Sequence, residues 1–475
     1  MPDPAQPALQ LRGISKAYPG VVAVDSVDLD LFPGEIHALV GENGAGKSTL
    51  ASIAFGEVRP DSGSIQAHGA VGLVHQHFEL AGRLRVWENV LLGREPRRGW
   101  RIDVGAARAH VAALAQRNGL EIDPDAFVDE LPIGMQQRVE LLREIDREPA
   151  VLLLDEPTAA LAPAEIASFF ATVTALAQRG AAIMIVTHKL AEVIAYASRV
   201  SVMRHGAIVE RTLTAQTTGE QLARAMVGGD LPPVAARAAT VPESCLTITA
   251  LNAGDAERTV HGLHFEVRSG EIVGIAGVEG NGQSALADAI AGVIPYEGRI
   301  ERTPGARTGI IPQDRLTEAL VLNWSIVENA ILGRQHQARS RHGMLLDRVH
   351  AREDARRIVA DFDVRTTSLD TAVKDLSGGN QQKVVVGRAL IDAPDVIVAY
   401  NPTRGIDVGA AALVQSRLMQ ARNDGAAVLL ISFELDEILT LADRILVMFR
   451  GRIVGTFDRG LVERAQIGRL MAGIA

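Results

Sequence analysis

Gly41-Glu42-Asn43-Gly44-Ala45-Gly46-Lys47-Ser48-Thr49 fits the phosphate-loop pattern Gly-x4-Gly-Lys-Ser/Thr in full. The run Glu35 to Val40 before it reads as a strand, and Lys47 to Phe55 opens a helix after it. That context separates the stretch from a chance glycine-rich turn. The glycines let backbone N–H groups converge on phosphate oxygens with no Cβ in the way. The helix that follows offers its N-terminus to the anion. Lys47 is expected to reach the β- and γ-phosphates, and the Ser48 hydroxyl to ligate Mg²⁺. The expected nucleotide-binding residues of the stretch are Gly41, Asn43, Gly44, Ala45, Gly46, Lys47, Ser48 and Thr49.

The chain carries this loop a second time. Gly277-Val278-Glu279-Gly280-Asn281-Gly282-Gln283-Ser284-Ala285 keeps the glycines and the serine but has Gln283 where lysine is needed. The repeat is general. Leu131-Pro132-Ile133-Gly134-Met135-Gln136-Gln137 returns as Leu376-Ser377-Gly378-Gly379-Asn380-Gln381-Gln382, and Asp155-Glu156-Pro157-Thr158 as Tyr400-Asn401-Pro402-Thr403. The spacing from 131 to 376 is 245 residues, and from 155 to 400 it is again 245. Two copies in one order indicate tandem homologous domains, expected over residues 7–230 and 244–475 with a linker at 231–243. The seam, Gly229 to Ser244, is broken by Pro232, Pro233 and Pro242. Val71 to Val74, Val151 to Leu154, Ala182 to Val186, Ile272 to Ala276, Val396 to Val398 and Ala427 to Ile431 read as buried strands. Strands alternating with helices predict an α/β fold with a mainly parallel sheet in each copy.

At 475 residues and 47% hydrophobic content, the chain can bury two cores. A net charge of -9 argues against a broad nucleic-acid surface. The single cysteine, Cys245, leaves neither a disulfide framework nor a cysteine metal cluster. No signal peptide is visible at Met1 to Ala5, and the most apolar stretch, Ala181 to Met203, is interrupted by Lys189, Glu192 and Arg199. The expectation is a soluble, intracellular chain.

Leu152-Leu153-Leu154-Asp155-Glu156 is an apolar strand ending in two acids. Carboxylates at a buried strand end are costly without a partner. After a phosphate loop, Asp155 is best placed to hold Mg²⁺ and Glu156 to orient or deprotonate the attacking water. His188 also closes a strand and is expected at the γ-phosphate, although a lone histidine there is more often structural. Gln76 follows the strand Val71 to Val74 and is a plain polar residue on spacing alone; Tyr18 could stack on a base, although aromatics usually pack.

With these residues in place, Leu376-Ser377-Gly378-Gly379-Asn380-Gln381-Gln382-Lys383 resembles the LSGGQ signature of ATP-binding-cassette (ABC) proteins, and the resemblance covers nearly the whole chain. It implies two tandem P-loop NTPase nucleotide-binding domains. Each would have a mixed, mainly parallel sheet, a small antiparallel β-subdomain and a helical subdomain. It also implies that Gln76 is the Q-loop residue and a metal ligand, His188 the switch histidine and Tyr18 the adenine platform. Val74-His75-Gln76-His77-Phe78, Gly134-Met135-Gln136-Gln137-Arg138-Val139-Glu140 and Gly280-Asn281-Gly282-Gln283-Ser284 are similar to the nucleoside branch of the fused double-cassette importers of simple sugars and nucleosides.

In that family each ATP lies between the loop of one cassette and the signature of the other. The resemblance therefore implies an unequal pair of sites. Lys47, Ser48, Gln76, Asp155, Glu156 and His188 would join Ser377, Gly378 and Gly379. Gln283, Ser284, Gln313, Tyr400, Asn401 and Phe433 would join Pro132, Ile133 and Gly134. The second set has no general base, and Pro132 brings neither a hydroxyl nor an N–H. The implied partners are two transmembrane permeases and an extracytoplasmic substrate-binding (lipo)protein, with no nucleic acid. The protein would sit peripherally on the cytoplasmic face of the plasma membrane, held only through the permeases, with Phe78 to Trp87 as the candidate contact. The alternative from another class is a soluble tandem-cassette ATPase acting on ribosomes or nucleic acid. The short, mostly uncharged seam and the net charge argue against it.

Overall fold

The computed structural model describes all residues except 1–5, 76–78, 159–160, 162, 230–236, 239–242, 256–258, 336–340, 343–344, 472 and 474–475. The chain divides into two compact units, Met1–Asp230 and Leu231–Ala475.

The front unit runs β1 (Leu9–Tyr18), β2 (Val21–Leu31), β3 (Ile36–Gly41), α1 (Lys47–Phe55), β4 (Ser62–Ala67), β5 (Val71–Val74), α2 (Val86–Val90), the two-residue strands β6 (Arg97–Arg98) and β7 (Arg101–Ile102), α3 (Val104–Arg117), α4 (Ile133–Ile145), β8 (Val151–Asp155), α5 (Pro163–Gln178), β9 (Ala182–Thr187), α6 (Leu190–Tyr196), β10 (Arg199–Arg204), β11 (Ala207–Leu213) and α7 (Gly219–Val227). Six strands form a sheet in the order β11-β10-β3-β9-β8-β5, parallel except for the edge strand β11. A separate antiparallel sheet runs β2-β1-β4. Strands β3, β8 and β9 are buried throughout, which is why they read as unbroken apolar runs.

Helix α1 has nine residues, too few to be stable alone. It is held by packing. Leu50 and Ile53 join one apolar cluster with Leu9, Leu11 and Leu29 of the antiparallel sheet and Leu39, Leu153 and Met184 of the main sheet. Burying each of these two side chains is worth about 1.5–3 kcal/mol. The phosphate loop is thereby fixed between β3 and a helix clamped from two sides. Helices α2, α3 and α4 form a third layer, and Asn89 ties the preceding loop to α2, its Oδ1 accepting from the Ala81 N–H at 2.8 Å while its Nδ2 donates to Ala81 O at 3.1 Å.

The back unit repeats this plan with β12 (Ser244–Gly254), β13 (Thr259–Arg268), β14 (Ile272–Ala276), α8 (Gln283–Ala291), β15 (Tyr296–Arg302), β16 (Thr308–Ile311), α9 (Ile326–Ile331), β17 (Arg341–His342), β18 (Leu345–Leu346), α10 (Arg348–Asp361), α11 (Gly378–Leu390), β19 (Val396–Tyr400), α12 (Val408–Asn423), β20 (Ala427–Ser432), α13 (Leu435–Leu441), β21 (Arg444–Phe449), β22 (Arg452–Asp458) and α14 (Arg464–Met471). Its sheets run β16-β19-β20-β14-β21-β22 and β13-β12-β15. The asparagine tie recurs as well: Asn329 bonds to Val321 N at 2.9 Å and Val321 O at 3.1 Å.

The expected strands at Val71–Val74 and Ile272–Ala276 and the helix Lys47–Phe55 coincide with the observed elements. Others run one or two residues further, to Asp155, Thr187, Tyr400 and Ser432. A ladder is built from backbone groups and does not stop at the last apolar side chain, as the pairing of Asp155 with Val186 shows. Among the described residues no helix is long and apolar enough to cross a membrane.

Candidate functional site

The front phosphate loop follows β3 and ends at Gly46, which caps α1 with φ 101°. A Cβ there would lie 1.9 Å from Ala23 O, so only glycine fits. The Lys47 ammonium is buried and donates to Gly41 O and Glu42 O, both at 2.9 Å. Burial pushes its pKa down, while Glu156 and then Asp155 oppose that shift. Asp155, at the end of β8, accepts from the Ser48 hydroxyl, and burial pushes its carboxyl above the ordinary carboxylate range. Its Oδ1 is buried with no hydrogen-bond partner. An orphaned carboxylate oxygen beside an exposed serine hydroxyl is a donor set that suits a hard divalent cation.

Glu156 follows at φ 47°, a left-handed conformation that is costly for glutamate. Its N–H donates to Val186 O at 2.9 Å, which ties the strained residue to β9. His188, just past β9, bonds through Nδ1 to Glu156 Oε1 at 3.1 Å. That bond holds the Glu156 carboxyl below its usual range. Lys47, Ser48, Asp155, Glu156 and His188 therefore converge in one place in the front unit. Tyr18 ends β1 and is 44% exposed, with Lys16 Nζ 5.8 Å from its ring centroid. Gln76 lies outside the described residues.

The back unit keeps the scaffold and carries different side chains at the equivalent positions. Gln283 is buried, and its Nε2 donates to Val278 O at 3.1 Å, the counterpart of the bond from Lys47 to Glu42 O. Its Oε1 is buried without a partner. Asn401 stands at φ 45° and donates its N–H to Ile431 O at 2.7 Å, the same strained corner as Glu156. Asparagine tolerates that conformation better than glutamate. Its Oδ1 accepts from the Phe433 N–H at 3.0 Å, so the side chain braces the next strand's end. Tyr400 is buried and meets Phe433 edge-on, ring centroids 5.9 Å apart at 83°. Tyr400 belongs to the apolar cluster under the sheet, and half-buried Phe433 packs against it. The positions equivalent to Asp155 and His188 thus carry aromatic side chains, one buried and one half-buried. Gln313 donates to Glu279 Oε1 at 3.0 Å on the surface.

The signature stretches differ in the same direction. Ser377 caps α11, and the Asn380 side-chain amide donates to its hydroxyl at 2.9 Å. A Cβ on Gly379 would lie 2.8 Å from Asp407 Oδ2, so the helix start sits tight against that carboxylate. In the front unit Pro132 takes the capping place of α4. Of the expected permease surface, Phe78 lies outside the described residues. Val86 and Trp87 are 0% and 5% exposed, inside the helical layer, so the accessible stretch ends at Arg85. They are buried because α2 must present an apolar face to α4.

One contact beside Glu156 was not read from the sequence. Thr158 Oγ1 donates to the Glu192 carboxylate at 2.7 and 2.9 Å, locking the turn after Glu156 to α6. Thr403 and Glu437 repeat it at 2.9 Å. The 245-residue spacing of both pairs was the available signal.

The Asp155 environment makes a stability prediction. A carboxyl whose pKa is raised by the fold costs stability when ionised, and that cost disappears as pH falls through the folded pKa. Asp155→Asn mimics the protonated group. It should raise the melting temperature at neutral pH, with the gain shrinking as pH falls, while hydrolysis is lost. A lower melting temperature at neutral pH would contradict the assigned origin of the shift.

A strand, glycine loop and helix, followed by acids on a neighbouring parallel strand, define a P-loop nucleotide-hydrolysing protein. The sequence profile of the ABC transporter family matches residues 24–159 and 260–404. The nucleoside import ATP-binding protein NupA of Lactococcus lactis subsp. cremoris (strain MG1363) is 38% identical, with 98% of each chain covered. The guanosine import ATP-binding protein NupO of Bacillus subtilis (strain 168) is 40% identical over 98% of this chain and 97% of its own. The ribose import ATP-binding protein RbsA 1 of Streptomyces avermitilis is 39% identical over 95% of this chain and 91% of its own. An archaeal ribosome recycling factor, solved in complex with a ribosomal stalk protein, aligns over 97% of this chain and 92% of its own with a TM-score of 0.70. At 18% identity that likeness shows the fold alone. The chain belongs to the ABC transporter family, as an ATP-binding, ATP-hydrolysing member with two cassettes.

Proposed function

We propose that the chain is the ATP-hydrolysing subunit of an importer, energising uptake of a nucleoside or simple sugar through partner permeases. Full-length similarity to two nucleoside and guanosine import ATP-binding proteins carries this reading. Two transmembrane permeases and an extracytoplasmic substrate-binding (lipo)protein would complete the assembly, with this subunit peripheral on the cytoplasmic face of the plasma membrane. The ribosome-acting alternative has no support beyond a shared fold. Purification from solubilised membranes with permeases attached is the expected result; recovery with ribosomes alone would overturn it.

The cassettes are assigned to residues 7–230 and 244–475, joined by a linker at 231–243. One competent site is assigned to the front loop with the back signature, and a silent one to the reverse pair. In the competent site Lys47 and the backbone of Gly41, Asn43, Gly44, Ala45, Gly46 and Thr49 hold the phosphates, and Tyr18 stacks on adenine. Ser377, Gly378 and Gly379 close over the γ-phosphate. Ser48, Asp155 and Gln76 would hold Mg²⁺, which supplies charge neutralisation between the β- and γ-phosphates. Glu156 orients the attacking water and takes its proton, and His188 steers that carboxylate. The edge-on packing of Tyr400 on Phe433 supports silence at the other site, because Tyr400 and Asn401 stand where the front unit has its two carboxylates. ATP that contacts both cassettes only when they are closed drives closure, and hydrolysis releases it. Phe433→Ala should leave steady-state ATPase unchanged, as read by phosphate release; a large loss would show that the second site turns over.

A further inference from the structure

The front helical layer carries a feature that nucleotide chemistry leaves unexplained. Strands β6 and β7 form a hairpin, with Arg97 opposite Ile102 and Arg98 opposite Arg101. Gly99 turns it at φ 67° and Trp100 sits at the tip, 101% exposed, with Ile102 at 45%. Arg97 lies within electrostatic reach of Glu95, which also accepts from the Gly93 N–H at 3.0 Å, and none of Arg97, Arg98 and Arg101 makes a close salt bridge among the described residues. Neighbouring arginines are paired: Arg94 with Asp146 at 2.9 Å and Arg108 with Asp125 at 2.6 Å. In a chain of net charge -9, three guanidiniums without a close salt bridge around a bare indole stand out.

The back unit places a hairpin at the same point of the repeat. Strands β17 and β18 pair Arg341 with Leu346 and His342 with Leu345, and the two leucines are 52% and 75% exposed. Each hairpin leads into a long helix capped by an aspartate, Asp103 or Asp347.

We infer that the front hairpin is a lipid-contacting finger, with Trp100 at the headgroup level and Arg97, Arg98 and Arg101 on anionic phospholipid phosphates. Indole rings settle at the membrane–water boundary, and arginine forks match phosphate oxygens. A protein partner is disfavoured by size. A six-residue protruding finger buries far less than the roughly 1,000 Å² that a specific protein interface needs. A bilayer demands no such area, because each basic residue near an anionic surface adds its own increment. This contact would be direct, additional to any hold through permeases, and independent of the importer reading.

The test uses the purified full chain, without permeases, and vesicles of phosphatidylglycerol and phosphatidylcholine in equal parts. Co-sedimentation is expected with these and not with phosphatidylcholine alone, weakening as salt rises. Arg97→Glu and Arg98→Glu should each reduce binding about fivefold or more. Trp100→Ala should abolish the blue shift of tryptophan emission on vesicle addition. ATPase should be unchanged in all three variants, so failure here leaves the ATPase assignment standing. Absence of vesicle binding, or equal binding by the variants, would overturn the inference. So would variants that keep vesicle binding but lose a co-purifying permease, which would point to an acidic protein surface instead.

Discussion

Replacing Glu156 by glutamine should lower steady-state ATPase by about 10²–10⁴-fold, the usual cost of losing a general base. The substitution changes little else. Glutamine has the same length, and the backbone at φ 47° is held by the bond to Val186 O whatever the side chain. An amide can still accept from His188 Nδ1, so the geometry at 3.1 Å is kept while proton affinity is lost. ATP binding should persist, and the variant should accumulate bound nucleotide. The mirror experiment is Asn401→Glu. It restores a carboxylate at the equivalent strained corner, but Tyr400 and Phe433 still stand where the front unit has Asp155 and His188. No gain in turnover is expected. Normal phosphate release by the Glu156→Gln protein would remove the assignment of the competent site.

Lys47→Gln should weaken ATP binding about tenfold and lower kcat by roughly 10²–10³-fold. The chain itself supplies the control for folding. Gln283 occupies the equivalent buried place in the back unit and satisfies the equivalent loop carbonyl, Val278 O, at 3.1 Å. The variant front loop should therefore keep its shape and lose only a charge. The reverse change, Gln283→Lys, should be the damaging one for stability. In the front unit the buried ammonium is compensated by Glu156 and Asp155. In the back unit Asn401 and Tyr400 stand there, and an uncompensated buried charge costs about 3–5 kcal/mol. A lower melting temperature with unchanged ATPase is the expected result. A rise in ATPase for Gln283→Lys would mean that the back loop needed only its lysine.

The strand–loop–helix at β3 and α1 was legible because its glycines, lysine and serine are each required by local backbone or phosphate geometry. The strand ends at Asp155 and Ser432 were not, since a ladder continues through polar residues when its partner strand is present. Burial of Trp87 was equally out of reach, because it depends on helices distant in sequence.

By itself the sequence determined the duplication, the parallel α/β plan and the inventory of chemical groups in each copy, since spacing and residue type are properties of the chain alone. Only the tertiary structure decided what the substituted groups became. Tyr400 and Phe433 closed into an apolar pair, Asn401 turned from the chemistry to brace a strand end, and Gln283 took over a lysine's hydrogen bond. The reason is that a side chain's protonation, partners and burial are set by neighbours brought from elsewhere in the chain, and those neighbours exist only once the sheets have formed.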